Sequence, residues 1–145
     1  MIVREVEKSD LYGLLKLYTH LHNNNIPDMN NELIGIWNNI IDDKNHHIII
    51  VEEEGKIVSS CVCVIIPNLT HCQQPYALIE NVITDENYRG RGYATACLDY
   101  AKAIAIKENC YKLMLLTGSK KESTLEFYER AGYNQNDKTG FIQWL

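Results

Sequence analysis

Asn87-Tyr88-Arg89-Gly90-Arg91-Gly92-Tyr93-Ala94 joins an apolar strand to an amphipathic helix. Upstream, Tyr76 to Ile83 is a run of strand-forming residues closed by the polar turn Thr84-Asp85-Glu86. Downstream, Tyr93, Cys97, Ala101, Ile104 and Ala105 recur at helical spacing and predict a helix from Gly92 to Lys107. Gly90 and Gly92 let backbone amides approach an anion. The unpaired donors of the first helical turn point at such an anion, and the helix dipole favours negative charge there. Arg89 and Arg91 add charge-assisted hydrogen bonds. The plainer reading is a tight strand-to-helix turn with solvated arginines. Against it, two glycines weaken a helix start unless the backbone must come close to something. No Gly-Lys-Ser/Thr follows, and Thr95 stands where a dinucleotide fingerprint needs glycine or alanine.

Around this turn lies a chain of 145 residues, 46% hydrophobic and 23% charged, sized for one domain spanning residues 1–145. Its 14 Lys plus Arg against 19 Asp plus Glu give a formal charge of −5. That balance argues against nucleic-acid or anionic-membrane partners, which need a basic face. It leaves room for a polyanionic cofactor at a local mouth formed by Arg89, Arg91, Lys120 and Lys121. Arg4, Glu5, Glu7, Lys8 and Asp10 break any signal-peptide core, and no run is long enough to span a membrane. The cysteines at 61, 63, 72, 97 and 110 lack Cys-x-x-Cys spacing, so reduced thiols and a cytoplasmic location are expected. His20, His22, His46, His47 and His71 share no metal-ligand spacing, and no metal is expected.

Toward the N-terminus, Ile2 to Val6 reads as a strand, and Ser9 or Asp10 as the N-cap of a helix with Leu11, Leu14, Leu15, Tyr18 and Leu21 on one stripe. After Asn23 to Asp28, Met29, Leu33, Ile36, Trp37 and Ile40 predict a second helix. Strands follow over His47–Val51 and Lys56–Ile66, joined at Glu54-Gly55, with Cys61 and Cys63 on one face. Residues 67–75 form a loop bounded by prolines. Toward the C-terminus, Tyr111–Leu116 reads as a strand, and Ser119-x-x-Glu122 as a capping box for a last helix ending at Gly132. Phe141–Leu145 reads as a closing strand. The order predicts an α/β fold with a mixed sheet and helices on both faces.

Arg89-x-x-Gly92-x-Ala94, following a strand that carries Glu80, resembles the coenzyme A turn of the GCN5-related N-acetyltransferases. Asn109-Cys110-Tyr111-Lys112 and Phe127-Tyr128-Glu129-Arg130-Ala131-Gly132-Tyr133 also look like motifs of that family, and the element order matches along nearly the whole chain. The resemblance implies a mostly antiparallel sheet of about six to seven strands flanked by about four helices. It implies acetyl-CoA as co-substrate, its diphosphate held by the amides of Arg89, Gly90, Arg91, Gly92, Tyr93, Ala94 and Thr95. In the family the strand before the turn parts from its neighbour at a bulge. Pantetheine slots into the gap, which implies main-chain contacts from Val82, Ile83 and Thr84. Ser119 and Ser123 stand where many relatives place a pantetheine-binding asparagine.

Acetyl transfer to an amine needs a neutral amine, a stabilised oxyanion and a proton for the departing thiolate. Glu80 is the candidate base, because a carboxylate within Leu78-Ile79-x-Asn81-Val82-Ile83 is costly unless paired or functional. Alternation predicts Glu80 on one face with Leu78 and Val82, opposite Ile79, Asn81 and Ile83. A structural ion pair is the alternative. Tyr128 is the candidate acid, since a phenol with a pKa of about 10 is protonated at neutral pH. No base is placed beside Cys72, so direct attack is expected rather than an acetyl-enzyme. An acceptor pocket is expected from the loop around Asn23–Met29, the 67–75 loop and the C-terminal segment. Residues Ile79–Tyr133 are similar to glucosamine-6-phosphate acetyltransferases, while length and layout resemble aminoalkylphosphonate acetyltransferases. Both imply a small primary amine, an amino sugar phosphate or an aminoalkyl compound. Two competing readings are a non-catalytic acyl-CoA-binding regulator and a protein or peptide N-acetyltransferase. Many members of the family are homodimers, and the resemblance implies one here.

Overall fold

The computed structural model describes residues 1–22 and 25–145, so Asn23 and Asn24 of the expected acceptor loop lie outside the described residues. Five strands make one sheet in the order β1 (Ile2–Glu5), β2 (His46–Glu53), β3 (Lys56–Ile66), β4 (Tyr76–Thr84), β5 (Leu113–Leu115). Neighbours are antiparallel except β4 and β5, which are parallel. Helices α1 (Leu11–His22) and α2 (Asn31–Asp42) cover one face, packing Leu11, Leu14, Leu17 and Trp37 onto Ile48, Ile50, Val62 and Ile83. Helices α3 (Tyr93–Lys107) and α4 (Glu122–Arg130) cover the other, where Tyr93, Cys97 and Ala101 meet Ile49, Cys61, Cys63 and Ile79. With both faces covered, the central strands read as continuous apolar runs, as Ile48-Ile49-Ile50-Val51 does.

The sheet has five strands, fewer than the six to seven expected, because Phe141–Leu145 forms no strand. On the side of the C-terminal segment the sheet ends at β5, which is three residues long. Two predicted caps also differ. The Asp10 carboxylate accepts from the Glu7 amide at 2.7 Å and from Arg4, which holds it below the usual carboxylate range, rather than capping α1. Helix α4 starts without a side-chain cap, and Ser119 donates to Thr124 at 3.2 Å instead of pairing with Glu122.

Strand β4 contains one residue too many for regular pairing. Ser60 faces Ile83 and Val62 faces Glu80, so Cys61 alone opposes both Asn81 and Val82. Asn81 absorbs the excess in the left-handed region at φ 51°, a conformation asparagine tolerates better than most residues. The bulge reverses the alternation beyond it. Ile79 packs on the α3 side, then Val82 joins that side and Ile83 turns to the α1 side. Glu80 and Val82 therefore do not share a face as strict alternation predicts. Glu80 is exposed rather than buried in the strand.

The end of β4 is braced from behind. Asp85, only 4% exposed, accepts from the Asn87 amide at 3.0 Å and from Lys56 Nζ at 2.7 Å. Lys56 lies 4.8 Å above the Tyr88 ring and Arg91 lies 5.1 Å from the same ring. The Lys56 ammonium holds the Asp85 carboxyl below its ordinary value of 3.8.

Asn81→Val, which forces a β-branched residue into positive φ, is expected to lower unfolding free energy by about 1–3 kcal/mol. Asn81→Gly is expected to be nearly neutral in the same urea titration. Asp85→Ala is expected to lower stability by about 1–3 kcal/mol at pH 7 through lost hydrogen bonds. A carboxyl depressed in the folded state stabilises above its unfolded pKa and loses that effect as pH falls through the folded one. The difference between the wild-type chain and Asp85→Ala should therefore close below about pH 4 in denaturation series run against pH.

Candidate functional site

Strands β4 and β5 pair only from Ala77–Leu113 to Ile79–Leu115, and they separate where the bulge begins. Beyond that point β4 keeps β3 on one side and has no strand partner on the other among the described residues. Ile83 C=O accepts from Ser59 Oγ at 3.0 Å and the Asp85 amide donates to Val58 C=O at 2.9 Å, so both residues turn their main chain toward β3. Alternation then directs the main-chain groups of Val82 and Thr84 into the gap. Thr84 C=O accepts from Arg89 Nε at 3.2 Å, and Thr84 Oγ1 lies 2.8 Å from Ser59 Oγ. Of the three residues expected to offer main-chain partners, Val82 and Thr84 face the gap. Ile83 faces β3, with its side chain in the core.

The gap leads to the glycine turn. Gly90 at φ 74° and Gly92 at φ 81° are both left-handed, and Gly92 caps α3. A Cβ at either position would meet nothing within 4 Å, so backbone conformation rather than crowding selects glycine. From Gly90 through Thr95, no amide has an acceptor among the described residues, while Arg89 N–H is used by Glu86 C=O at 3.5 Å. The first paired amide of the helix is that of Ala96, which donates to Gly92 C=O. Arg89, Gly90, Arg91, Gly92 and Thr95 are exposed, Ala94 is half-buried, and Tyr93 is buried with its hydroxyl donating to Glu53 at 3.1 Å. A row of free amides at a helix start, opening to solvent beside two arginines, has the geometry that suits an anion. The expected mouth lysines, Lys120 and Lys121, are also exposed.

Tyr128 lies on α4 with its ring 5.0 Å from Phe127 and edge-on to Tyr133 at 6.1 Å. Burial, then the neighbouring Cys61, pushes its hydroxyl above the ordinary phenol value. Tyr128 packs, half-buried, against the core cluster that contains Cys61, the β3 residue facing the bulge. Glu80 precedes the bulge on the α1 side and forms no ion pair among the described residues. Ser119 is half-buried in the segment leading to α4, and Ser123 is exposed in its first turn.

Two cavities border α1. One of about 440 Å³ is lined by Leu15, Tyr18, Thr19, Asn25 and Pro27. The other, of about 570 Å³, runs between α1 and the braced end of β4, with Lys16, His20, Lys56 and Asn87 in its wall. Tyr18 Oη and Ser60 Oγ are buried without a hydrogen-bond partner among the described residues. Burial pushes the Tyr18 phenol up to about 12, so it stays protonated. The 67–75 loop sits elsewhere. It lies at the start of β4, the end opposite the glycine turn, with His71 stacked on Tyr111 at 3.9 Å and Gln74 donating to Asn109.

Sequence reasoning did not find the Asn81 bulge, the unpaired hydroxyls of Tyr18 and Ser60, or the Asp85 brace. An asparagine in mid-strand signals the first, and Asp85-x-Asn87 after a strand signals the last. Among the described residues no helix is long and apolar enough to cross a membrane.

Residues 11–133 match the acetyltransferase (GNAT) family. A solved protein from Agrobacterium tumefaciens strain C58, provisionally assigned as an acetyltransferase, is 38% identical and superposes with a TM-score of 0.93 over 100% of both chains. The crystal structure of a Trypanosoma brucei acetyltransferase is 26% identical, with a TM-score of 0.82 over 99% of each chain. The glucosamine 6-phosphate N-acetyltransferase of Trypanosoma brucei brucei is 29% identical in an alignment 141 positions long that covers 94% of this chain and 90% of that protein. With its gap, free amides and sheet order already in place, the chain belongs to the GNAT family of acetyltransferases and is an acyltransferase.

Proposed function

We propose that the protein transfers the acetyl group of acetyl-CoA to the primary amine of a small molecule by direct attack. The observation that carries this reading is the row of unpaired amides from Gly90 to Thr95 at the mouth of the β4–β5 gap. A diphosphate satisfies the amides, Arg89 and Arg91 flank it, and the pantetheine arm lies along Val82 and Thr84. The Val82 amide then donates to the thioester oxygen, where negative charge develops. Ser119 and Ser123 lie along the outer course of the same arm.

Tyr128 acts as the acid. Its raised pKa keeps the proton on oxygen until the thiolate departs. Glu80 is the base. Its exposure suits proton removal through an intervening water, and its place on the α1 side directs it toward the acceptor. The acceptor enters through the cavity lined by Tyr18, Thr19, Asn25 and Pro27. Thr19 and Asn25 in its wall suit a hydroxyl-rich acceptor, and Lys16 with His20 in the neighbouring cavity suit an anionic group on it. An amino sugar phosphate meets both demands, and an aminoalkyl compound meets the second. The glucosamine 6-phosphate N-acetyltransferase likeness supports the first. Free thiols and the need for acetyl-CoA suit a cytoplasmic setting.

Incubation with acetyl-CoA and an amine panel, read as free thiol, tests the reaction. Glucosamine 6-phosphate belongs in that panel. Cofactor binding without thiol release would instead favour a regulatory acyl-CoA binder. Calorimetry showing no heat with CoA would remove the reading altogether. Gly92→Ala, which strains a residue at φ 81°, is expected to weaken CoA binding roughly tenfold. Tyr128→Phe is expected to lower kcat by about 10²-fold while CoA affinity stays within twofold, as for a proton donor to the leaving group. Glu80→Gln is expected to slow turnover chiefly at low pH, where the amine needs a base, and progressively less as pH rises.

A further inference from the structure

Ser59 lies in a stretch of β3, Ile57 to Cys63, in which every residue is buried. A hydroxyl in such a place is costly unless it is bonded, and Ser59 Oγ is bonded on three sides. It donates to Ile83 C=O at 3.0 Å, lies 2.8 Å from Thr84 Oγ1, and accepts from Cys97 Sγ at 3.8 Å. A serine hydroxyl has one proton and two lone pairs. With the proton committed to Ile83, the oxygen accepts from the Thr84 hydroxyl as well as from the thiol.

Three elements meet at that oxygen: β3 itself, the end of β4, and α3 through Cys97. Cys97 also shares a hydrogen bond with Cys61, which pushes the Cys61 thiol up, and Cys61 is the residue opposite the bulge. Ser59, Cys61 and Cys97 are all 0% exposed, and no step of the proposed transfer uses them. A buried polar chain whose members are all bonded fixes one arrangement of the elements it joins. Sliding α3 along the sheet would leave Ser59 or Cys97 short of a partner, at the full cost of an unmade buried bond.

The elements so joined carry the two ends of the cofactor site. Helix α3 starts at the free amides from Gly90 to Thr95, and Cys97 lies two residues beyond them. Thr84 belongs to the β4 segment that faces the gap, its side chain held by Ser59 and its carbonyl by Arg89. Two linked contacts reinforce one another only where the geometry allows both at once. An error in the spacing between helix start and strand therefore falls on a ligand that spans both ends and spares one that occupies a single end.

We infer, on the acetyl-CoA reading above, that Ser59 is a positioning residue that sets the spacing between the diphosphate and pantetheine halves of the cofactor site. It touches neither half. CoA spans the two, whereas ADP occupies the first alone.

Affinities of CoA by calorimetry and of ADP by NMR titration, for the wild-type chain, Ser59→Ala and Cys97→Ala, test this, with circular dichroism as the check of folding. Each substitution is expected to weaken CoA about tenfold and to leave ADP within twofold. Because both cut the same connection, the double variant is expected to bind CoA no more weakly than the weaker single one. Cys97→Ser keeps a donor on α3 and is expected to stay within threefold of the wild-type chain. Where Ser59→Ala does not fold, the contrast between Cys97→Ala and Cys97→Ser decides. Equal weakening of CoA and ADP, as from a general loosening of the core, overturns the inference. Unchanged CoA affinity, or losses that add in the double variant, do the same. Those results leave the acetyl-CoA reading standing, because the wild-type chain still binds CoA; a wild-type chain that binds none removes both.

Discussion

The site depends on one surplus residue in β4. With Cys61 opposing both Asn81 and Val82, the strand cannot run straight beside its neighbours. A bulge sharpens local twist and bend, and here the parallel partner is lost at the same level, after Ile79–Leu115. The left-handed conformation of Asn81 costs of order 1–3 kcal/mol. It persists because β4 is paired to β3 on both sides of it, from Tyr76–Ile66 to Thr84–Ser59. The strain is thereby exchanged for a row of main-chain groups facing an open slot. A regular strand has no such groups, since each would be spent on its neighbour.

The same economy shapes the turn that follows. Two left-handed glycines make a backbone soft as well as able to approach an anion closely, and softness would blur the positions of the amides. Rigidity is supplied from the far side. Asp85 is buried and holds Asn87 and Lys56, Lys56 and Arg91 both contact the Tyr88 ring, and Tyr93 reaches back to Glu53 on β2. The hairpin between β2 and β3 therefore holds the loop before any ligand arrives. Donors that are already oriented lose less freedom on binding than donors that must be gathered.

Most of this fold is legible in the residues. Helical spacing marks α2 and α3, continuous apolar runs mark β2 and β3, and the glycine turn marks the candidate site. What escapes is whatever depends on a partner rather than on a local pattern. Nothing in Ile79-Glu80-Asn81-Val82-Ile83 alone says that pairing with β3 skips a residue, so strict alternation misplaces Val82 relative to Glu80. Ser119-x-x-Glu122 fits a capping box, yet the Ser119 hydroxyl finds Thr124 first. Phe141–Leu145 has the composition of a strand, but a strand exists only where another edge receives it. The acceptor cavities are gathered from α1, the following loop and the sheet, and no spacing along the chain encodes that meeting.

An acidic protein with the proposed anion site has to hold its ligand by local geometry, because the long-range field opposes approach. Exposed charges are screened over about 8 Å at physiological ionic strength, so a net −5 is felt weakly at contact. Amides fixed at a helix start act within hydrogen-bond distance, where screening by salt is slight. In the proposed reaction this division has a second consequence. The overall negative field favours approach of an amine in its protonated form, whereas attack on a thioester requires the neutral form. A proton acceptor must therefore stand between the entrance and the gap, able to discharge to solvent. Glu80 meets that requirement by position, exposed on the α1 side one residue before the bulge. In the same proposal Tyr128, on the opposite face with its proton held by burial, serves the other end of the transfer. The sheet separates the two groups, so base and acid meet only through the reactants in the gap.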